Sequence, residues 1–83
     1  MTNVTKTKDP IEIITIFTNK GPRPYTFKWA NKRFKVEKIN LVFEKKLGND
    51  KLVYFSVTAE SNYFKLCFNT NELRWYVEEV YHE

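Results

Sequence analysis

Four short turn-forming segments interrupt the chain after Tyr25, at residues 31–32, 48–50, 61–62 and 71–72. Between these segments, apolar residues largely alternate with polar ones, as expected for β-strands that have one buried face. The pattern is a strong constraint, because each turn determines which residues of the two flanking strands face each other. The sequence therefore predicts an antiparallel meander from Tyr25 onward.

The four predicted hairpins agree with one another, because each of them brings apolar side chains together on the same face of the sheet. The predicted facing pairs are Trp29 with Phe34, Phe27 with Val36, Phe43 with Phe55, Leu41 with Val57, Ile39 with Ala59, Ala59 with Phe64, Val57 with Leu66, Phe55 with Phe68, Phe68 with Trp75, and Leu66 with Val77. On the outer face the same registers place Lys28 opposite Lys35 and Lys65 opposite Glu78. We therefore predict one apolar and one polar face.

The apolar positions change phase within one predicted strand. They are even-numbered up to Val36 and odd-numbered from Ile39 onward. Such a change predicts a β-bulge near Glu37 and Lys38, and bulges bend a strand and curl its sheet.

No segment is predicted to form a long amphipathic helix that could cover the apolar face of this sheet. A sheet with one bare apolar face must bury that face against something. We therefore predict an all-β fold in which an antiparallel meander of five or six strands curls into a small barrel or a tight sandwich. The alternative is a dimer that packs two such faces together.

The first 24 residues are less regular. Residues 1–10 are polar and are expected to form a flexible N-terminal tail, which leaves residues 11–83 as a single β domain. Residues 11–17 are dominated by isoleucine, which favours a strand that helps to close the barrel. Asp9, Pro10 and Glu12 would also suit the first turn of a helix, so this alternative stays open. Residues 19–24 contain two prolines and a glycine, and are expected to form a loop.

The sequence offers little chemistry for catalysis. Its one cysteine, Cys67, excludes an intramolecular disulfide, and with the one histidine, His82, it cannot make a metal-ligand set. Glu78 and Glu79 would point to opposite faces of a strand. We therefore expect a protein that is not an enzyme and has no cofactor and no bound metal, with Cys67 as a partly buried packing residue. No signal peptide or membrane span is apparent, which favours a cytoplasmic protein without membrane association.

Positive charge is concentrated in the first part of the chain. Residues 1–51 contain twelve Lys and Arg against five Asp and Glu, whereas residues 52–83 contain two against five. The residues that could contact phosphate lie around the first hairpin: Arg23, Lys28, Arg33 and Lys35. The competing interpretation is that these cations keep a sheet edge soluble.

The outer face of the later strands is expected to combine aromatic and basic residues. These residues are Tyr54, Tyr63, Lys65, Arg74 and Tyr76. Such a surface could stack the bases of a single-stranded nucleic acid. It could equally anchor a protein partner, since tyrosine and arginine are common at the centres of interfaces. A third possibility is that the N-terminal residues cover these tyrosines.

A further pattern is formed by Pro24, Phe27, Trp29, Phe34 and Val36, by the later run from Phe64 to Leu66, and by Trp75, Val77, Val80 and Tyr81. In these positions the chain resembles a bacterial family of small domains of unknown function. These positions coincide largely with the predicted core, so the resemblance bears mainly on the fold. Some members of that family accompany polymerase-like proteins of DNA damage tolerance, which implies a role linked to DNA.

Taken together, these observations favour a small non-catalytic domain that binds nucleic acid, possible ligands being single-stranded DNA or RNA, or that assists a DNA transaction. The alternative function is a protein–protein interaction module, either as a monomer or as a weak homodimer.

Overall fold

The computed structural model of the protein describes residues 3–82, which form a single sheet of seven antiparallel strands. The strands are β1 (Asn3–Pro10), β2 (Glu12–Thr18), β3 (Gly21–Trp29), β4 (Lys32–Leu47), β5 (Asp50–Ala59), β6 (Asn62–Asn69) and β7 (Arg74–His82). Their order in the sheet is β1-β7-β6-β5-β4-β3-β2. Within these described residues, no helix is long and apolar enough to cross a membrane.

The two ends of the sheet are joined by a single residue, Ile11. β1 pairs with β7, β2 pairs with β3, and the backbone N–H of Ile11 donates a hydrogen bond to the carbonyl oxygen of Trp75 at 3.1 Å. One continuous stretch of chain therefore passes from one edge of the sheet to the other and closes it into a ring. This confirms the all-β prediction, and residues 12–17 form part of strand β2 rather than a helix.

The tail expected at residues 1–10 is wrong for residues 3–10, because Asn3–Pro10 form strand β1, and residues 1–2 lie outside the described residues. β1 pairs with β7 along most of its length, although its side chains are mostly exposed. A strand whose side chains stay in water needs no apolar pattern, since its contribution is backbone hydrogen bonding. This is why the polar composition misled the prediction.

The expected loop at residues 19–24 is also shorter than predicted, because β3 already begins at Gly21. Pro22 and Pro24 fit within this strand because β3 has no strand partner on its β4 side before Thr26. Proline lacks a backbone N–H and is tolerated where the ladder does not require one.

Two of the four hairpins are shifted by two residues from the predicted register. Their turns are formed by Ala30 with Asn31 and by Glu60 with Ser61, one residue earlier than expected. All four residues have positive φ, as the two-residue turns that match strand twist require. A shift of two residues keeps every side chain on its predicted face. Phe27 consequently faces Phe34 rather than Val36.

The hairpin between β4 and β5 is shifted by one residue, which reverses the predicted faces of its strand. Its turn contains two residues, Gly48 and Asn49, instead of three, and Gly48 has a φ of +62°. Val42 is therefore opposite Phe55 and faces inward. The predicted inward positions of Leu41 and Phe43 are wrong; both face outward and are exposed.

The predicted bulge in β4 is confirmed, and a second one follows it. The register shifts between Val36 and Lys38, and again between Ile39 and Leu41. Between the two bulges Ile39 still faces inward, opposite Val57, as predicted by side although not by partner.

The hairpin between β6 and β7 is confirmed near its turn, where Phe68 faces Trp75 and Leu66 faces Val77. Between the Leu66 and Lys65 pairs, a further bulge leaves Glu78 as an extra residue of β7, so Lys65 does not face Glu78 as predicted. Lys65 is opposite Glu79, and its Nζ lies 3.5 Å from the Glu79 carboxylate.

The interior of the ring is filled by aromatic and branched side chains. One group of rings contains Phe27, Trp29, Phe34 and Phe64, with centroid separations from 4.9 to 6.3 Å. A second group contains Phe55, Phe68 and Trp75, with separations of 5.2 and 4.9 Å. Val57, Leu66 and Val77 belong to the same core and are fully buried.

The core can be tested with two identical substitutions at contrasting positions. Phe64 is 1% exposed and contacts three other rings, whereas Phe17 is 71% exposed. We expect Phe64→Ala to lower the free energy of unfolding by about 3–5 kcal/mol. Phe17→Ala should change it by less than about 0.5 kcal/mol. Chemical denaturation followed by circular dichroism measures both values, and equal values for the two variants would contradict the described core.

Candidate nucleic-acid interface

Three of the four predicted phosphate-contacting residues lie on the outer surface of the β3–β4 hairpin, and the fourth, Arg23, lies where β3 pairs only with β2. Phe27 and Phe34 face each other in the core, so the residues that alternate with them point outward. Lys28, Arg33 and Lys35 point outward in this way, and Arg23 lies further along β3, beyond the bulge at Tyr25 and opposite Ile16 on β2. We call these four residues the basic face, and all four are exposed. The structure therefore brings Lys28, Arg33 and Lys35 together on one surface, with Arg23 further along the same strand.

The basic face concentrates positive charge with little local compensation. Lys28 is opposite Arg33, not opposite Lys35 as predicted, so two like charges still face each other. Glu12 is the neighbour of Lys28 on β2. Among the described residues, the two ion pairs present lie elsewhere, and none of the four cations takes part in one. An anion bound here would relieve the repulsion between the facing charges.

Tyr25 adds an aromatic ring to the basic face. A register shift in the β2–β3 pairing leaves Tyr25 as the extra residue of a bulge, with an exposed side chain. The Lys35 Nζ lies 5.9 Å from the centre of its ring. Sequence reasoning missed Tyr25, because strict alternation with Phe27 would turn it into the core.

The predicted stacking surface on β5, β6 and β7 is largely occupied by contacts within the protein. Tyr54 is 7% exposed, contrary to the expectation that its ring is displayed. Phe43 stacks on it at a centroid distance of 4.9 Å, and the Lys65 Nζ lies 4.9 Å from the ring centre. The sequence prediction placed Phe43 in the core, so it did not foresee this cover.

Lys65 is similarly committed to partners in the chain. Besides the rings of Tyr54 and Phe43, it contacts the carboxylate of Glu79, which also accepts a hydrogen bond from the hydroxyl of Tyr81. The Tyr81 hydroxyl is the largest cause of a lowered pKa at Glu79, and Lys65 lowers it further. The charge of Lys65 is thus balanced locally, which leaves little of it for a phosphate.

Of the three other residues of that predicted surface, Arg74 and Tyr76 are two residues apart on β7, whereas Tyr63 lies away from both. Tyr63 is exposed and lies opposite Tyr81, near one end of the β6–β7 pair, whereas Arg74 is exposed at the other end. Tyr76 is half-buried and donates a hydrogen bond from its hydroxyl to Glu72 at 2.8 Å, which raises the pKa of Tyr76. These side chains do not form one platform.

On the same side of these strands, Leu52, Tyr54 and Cys67 form a small second core, against which Tyr76 packs. Burial raises the pKa of the Cys67 thiol to about 11 and the pKa of the Tyr54 hydroxyl to about 12. Cys67 is therefore more buried than the sequence suggested, although Glu78, Lys65 and the Tyr54 hydroxyl lie near its thiol. In the part of the chain that the structure describes, no group of three or more His, Cys, Asp or Glu side chains is arranged to hold a metal ion.

Comparison with known proteins found no match for this chain. No family model matches the sequence, no curated protein aligns with it significantly, and no solved structure is significantly similar to its fold. The functional argument consequently depends on the geometry of the basic face.

The buried state of Cys67 predicts slow thiol chemistry. Because the thiolate is the reactive form and its formation is suppressed here, native protein at pH 8 should react with iodoacetamide at least about tenfold more slowly than the unfolded chain. A matched control is the Cys67→Ser, Tyr63→Cys variant, which moves the thiol to an exposed position on the same strand. That variant should react at nearly the unfolded rate. Fast labelling of native Cys67 would contradict its burial.

Proposed function

We propose that the protein is a non-catalytic domain that binds single-stranded nucleic acid on the basic face. The observation that carries the proposal is the placement of Lys28, Arg33 and Lys35 on one hairpin surface, with Arg23 further along β3, all without an ion-pair partner among the described residues. Phosphate contacts by Lys and Arg supply most of the affinity in such complexes. A cytoplasmic location belongs to the same proposal, since a lone buried thiol fits a reducing compartment.

In this proposal the hairpin supplies both kinds of contact that single-stranded nucleic acid requires. Arg33 and Lys35 are two residues apart on β4, so their side chains leave the same face about 7 Å apart along the strand. Tyr25 provides an exposed ring on which a base can stack. Tyr54 and Lys65 are left out of the binding surface, because their rings and charges already have partners.

The charge contribution can be tested by removing two cations from the basic face. Binding of a fluorescent oligothymidylate to the Lys28→Gln, Arg33→Gln variant should be weaker than to the unchanged protein. Its salt dependence should also be shallower, by about 0.7 per lost phosphate contact in the slope of log affinity against log salt. Fluorescence anisotropy at several salt concentrations measures both quantities.

The control for this experiment is the Lys45→Gln, Lys46→Gln variant, which removes the same charge from exposed positions near the β4–β5 turn. If the basic face is the site, the control should lose much less affinity and keep its slope. Equal losses of affinity in both variants would show that binding depends only on the net charge of the protein. Absence of binding at low salt would contradict the proposal.

A second candidate function is a protein-interaction module. It is supported by the later part of β4, where apolar side chains face outward. Leu41, Phe43 and Leu47 are exposed on one side of this strand. Exposed apolar residues clustered on a sheet are typical of contact surfaces. A partner protein or a second copy of the chain could cover them.

Self-association through this surface can be measured by sedimentation velocity. A homodimer that buries these residues should appear as the protein concentration rises to the high micromolar range, and Leu41→Lys should abolish it. A chain that remains monomeric throughout would exclude the homodimer.

A further inference from the structure

The wall of the ring has an opening between β3 and β4. Their pairing covers only four residues of each strand and ends where Thr26 faces Lys35. Beyond this point β4 continues along β5 as far as Leu47, while β3 follows β2 back to Gly21. The two strands therefore separate, and we call the gap between them the seam.

The seam leads to an apolar interior of useful size. The groove behind the seam is partly open to solvent and has a volume of about 570 Å³, within the range of about 300–1,000 Å³ that small-molecule sites occupy. Its apolar lining includes Val42 and Val53 from the β4–β5 hairpin and, more deeply buried, Phe55 and Phe68. Val42 faces inward yet is 50% exposed, because no strand covers it from the β3 side.

The lining of the seam is positively charged. Lys20 and Arg23 contribute to it from the start of β3 and the turn before it, and neither takes part in an ion pair among the described residues. The opposite side contributes Lys51 and Glu44, which neutralise each other across 3.1 Å. An apolar interior beside two uncompensated cations complements a molecule with a hydrocarbon body and an anionic end.

We propose that the seam binds an amphipathic monocarboxylate with an unbranched hydrocarbon chain. The hydrocarbon lies along Val42 and Val53 toward Phe55 and Phe68, and the carboxylate meets Lys20 and Arg23. This site differs from the proposed nucleic-acid surface in its ligand and in most of its residues. Arg23 is the one residue common to both.

Burial of the hydrocarbon predicts that affinity rises with chain length. Each methylene removed from water should tighten binding about fourfold, so dodecanoate should bind at least about tenfold more tightly than decanoate. The test is a titration of the isotope-labelled full chain below the micelle concentration, followed by NMR. The backbone amides of Ile39, Val42 and Val53 should shift in a saturable manner. No saturable shift at these amides would overturn the proposal.

The charge of the ligand is tested by dodecyltrimethylammonium, which carries a cation on a chain of the same length. It should bind at least about tenfold more weakly than dodecanoate if Lys20 and Arg23 meet the carboxylate. The Lys20→Gln, Arg23→Gln variant should remove this preference. Equal binding of the two amphiphiles by the unchanged protein would show apolar adsorption only and would overturn the carboxylate assignment.

Two neighbouring residues of β4 provide a matched test of location. Val42→Glu places a carboxylate on the inner face and should weaken dodecanoate binding at least about tenfold, whereas Leu41→Glu places it on the outer face and should have little effect. The two wild-type side chains are similarly exposed, at 50% and 57%, so both variants should fold, which their amide spectra would verify. Equal effects in two folded variants would overturn the seam as the site.

The same titration separates this proposal from nucleic-acid binding. The Lys28→Gln, Arg33→Gln variant keeps the seam intact and should bind dodecanoate as the unchanged protein does. If that variant lost dodecanoate and oligothymidylate together, the carboxylate would be binding to the basic face and the seam assignment would fail. If nucleic acid did not bind at all, the seam proposal would still be tested independently by comparing Val42→Glu with Leu41→Glu.

Discussion

The closure of the sheet at Ile11 is the constraint on which the rest of the structure depends. β1 and β2 are nearly continuous in the chain, yet they pair with β7 and β3 at opposite ends of the strand order. Through this connection, β7 and β3 each gain a strand partner on their second edge, which protects those edges from pairing with another chain. It also encloses the apolar face, so that two groups of aromatic rings form a core without any helix among the described residues.

The course of β4 limits how completely the ring closes. The strand pairs with β3 as far as Lys35 and with β5 alone from Val36 onward, where register shifts follow around Glu37 and Asn40. The same departure opens the seam, leaves Val42 partly exposed and presents Leu41 and Phe43 to the outside. One local feature of the strand therefore accounts for both the accessible interior and the exposed apolar surface.

Much of the fold followed from the sequence, because turns and alternation are local signals. The parts that did not follow have physical causes. β1 was missed because it contributes backbone pairing and few buried side chains. The outward turn of Leu41 depended on whether the turn at Gly48 has two residues or three, and both lengths are compatible with a residue at positive φ. The exposure of Tyr25 was missed because it depends on a bulge for which the sequence gives no signal.

The difference between a two-residue and a one-residue shift explains which part of the candidate site was predictable. In the β3–β4 hairpin the shift was two residues, so Lys28 and Arg33 stayed on the outer face although their partners changed. In the β4–β5 hairpin the shift was one residue, and Phe43 moved outward onto Tyr54. The cations of the basic face are therefore insensitive to the common error in register, whereas a stacking surface built from single aromatic residues is not. Tyr25, on its bulge, is the exposed ring that lies beside those cations.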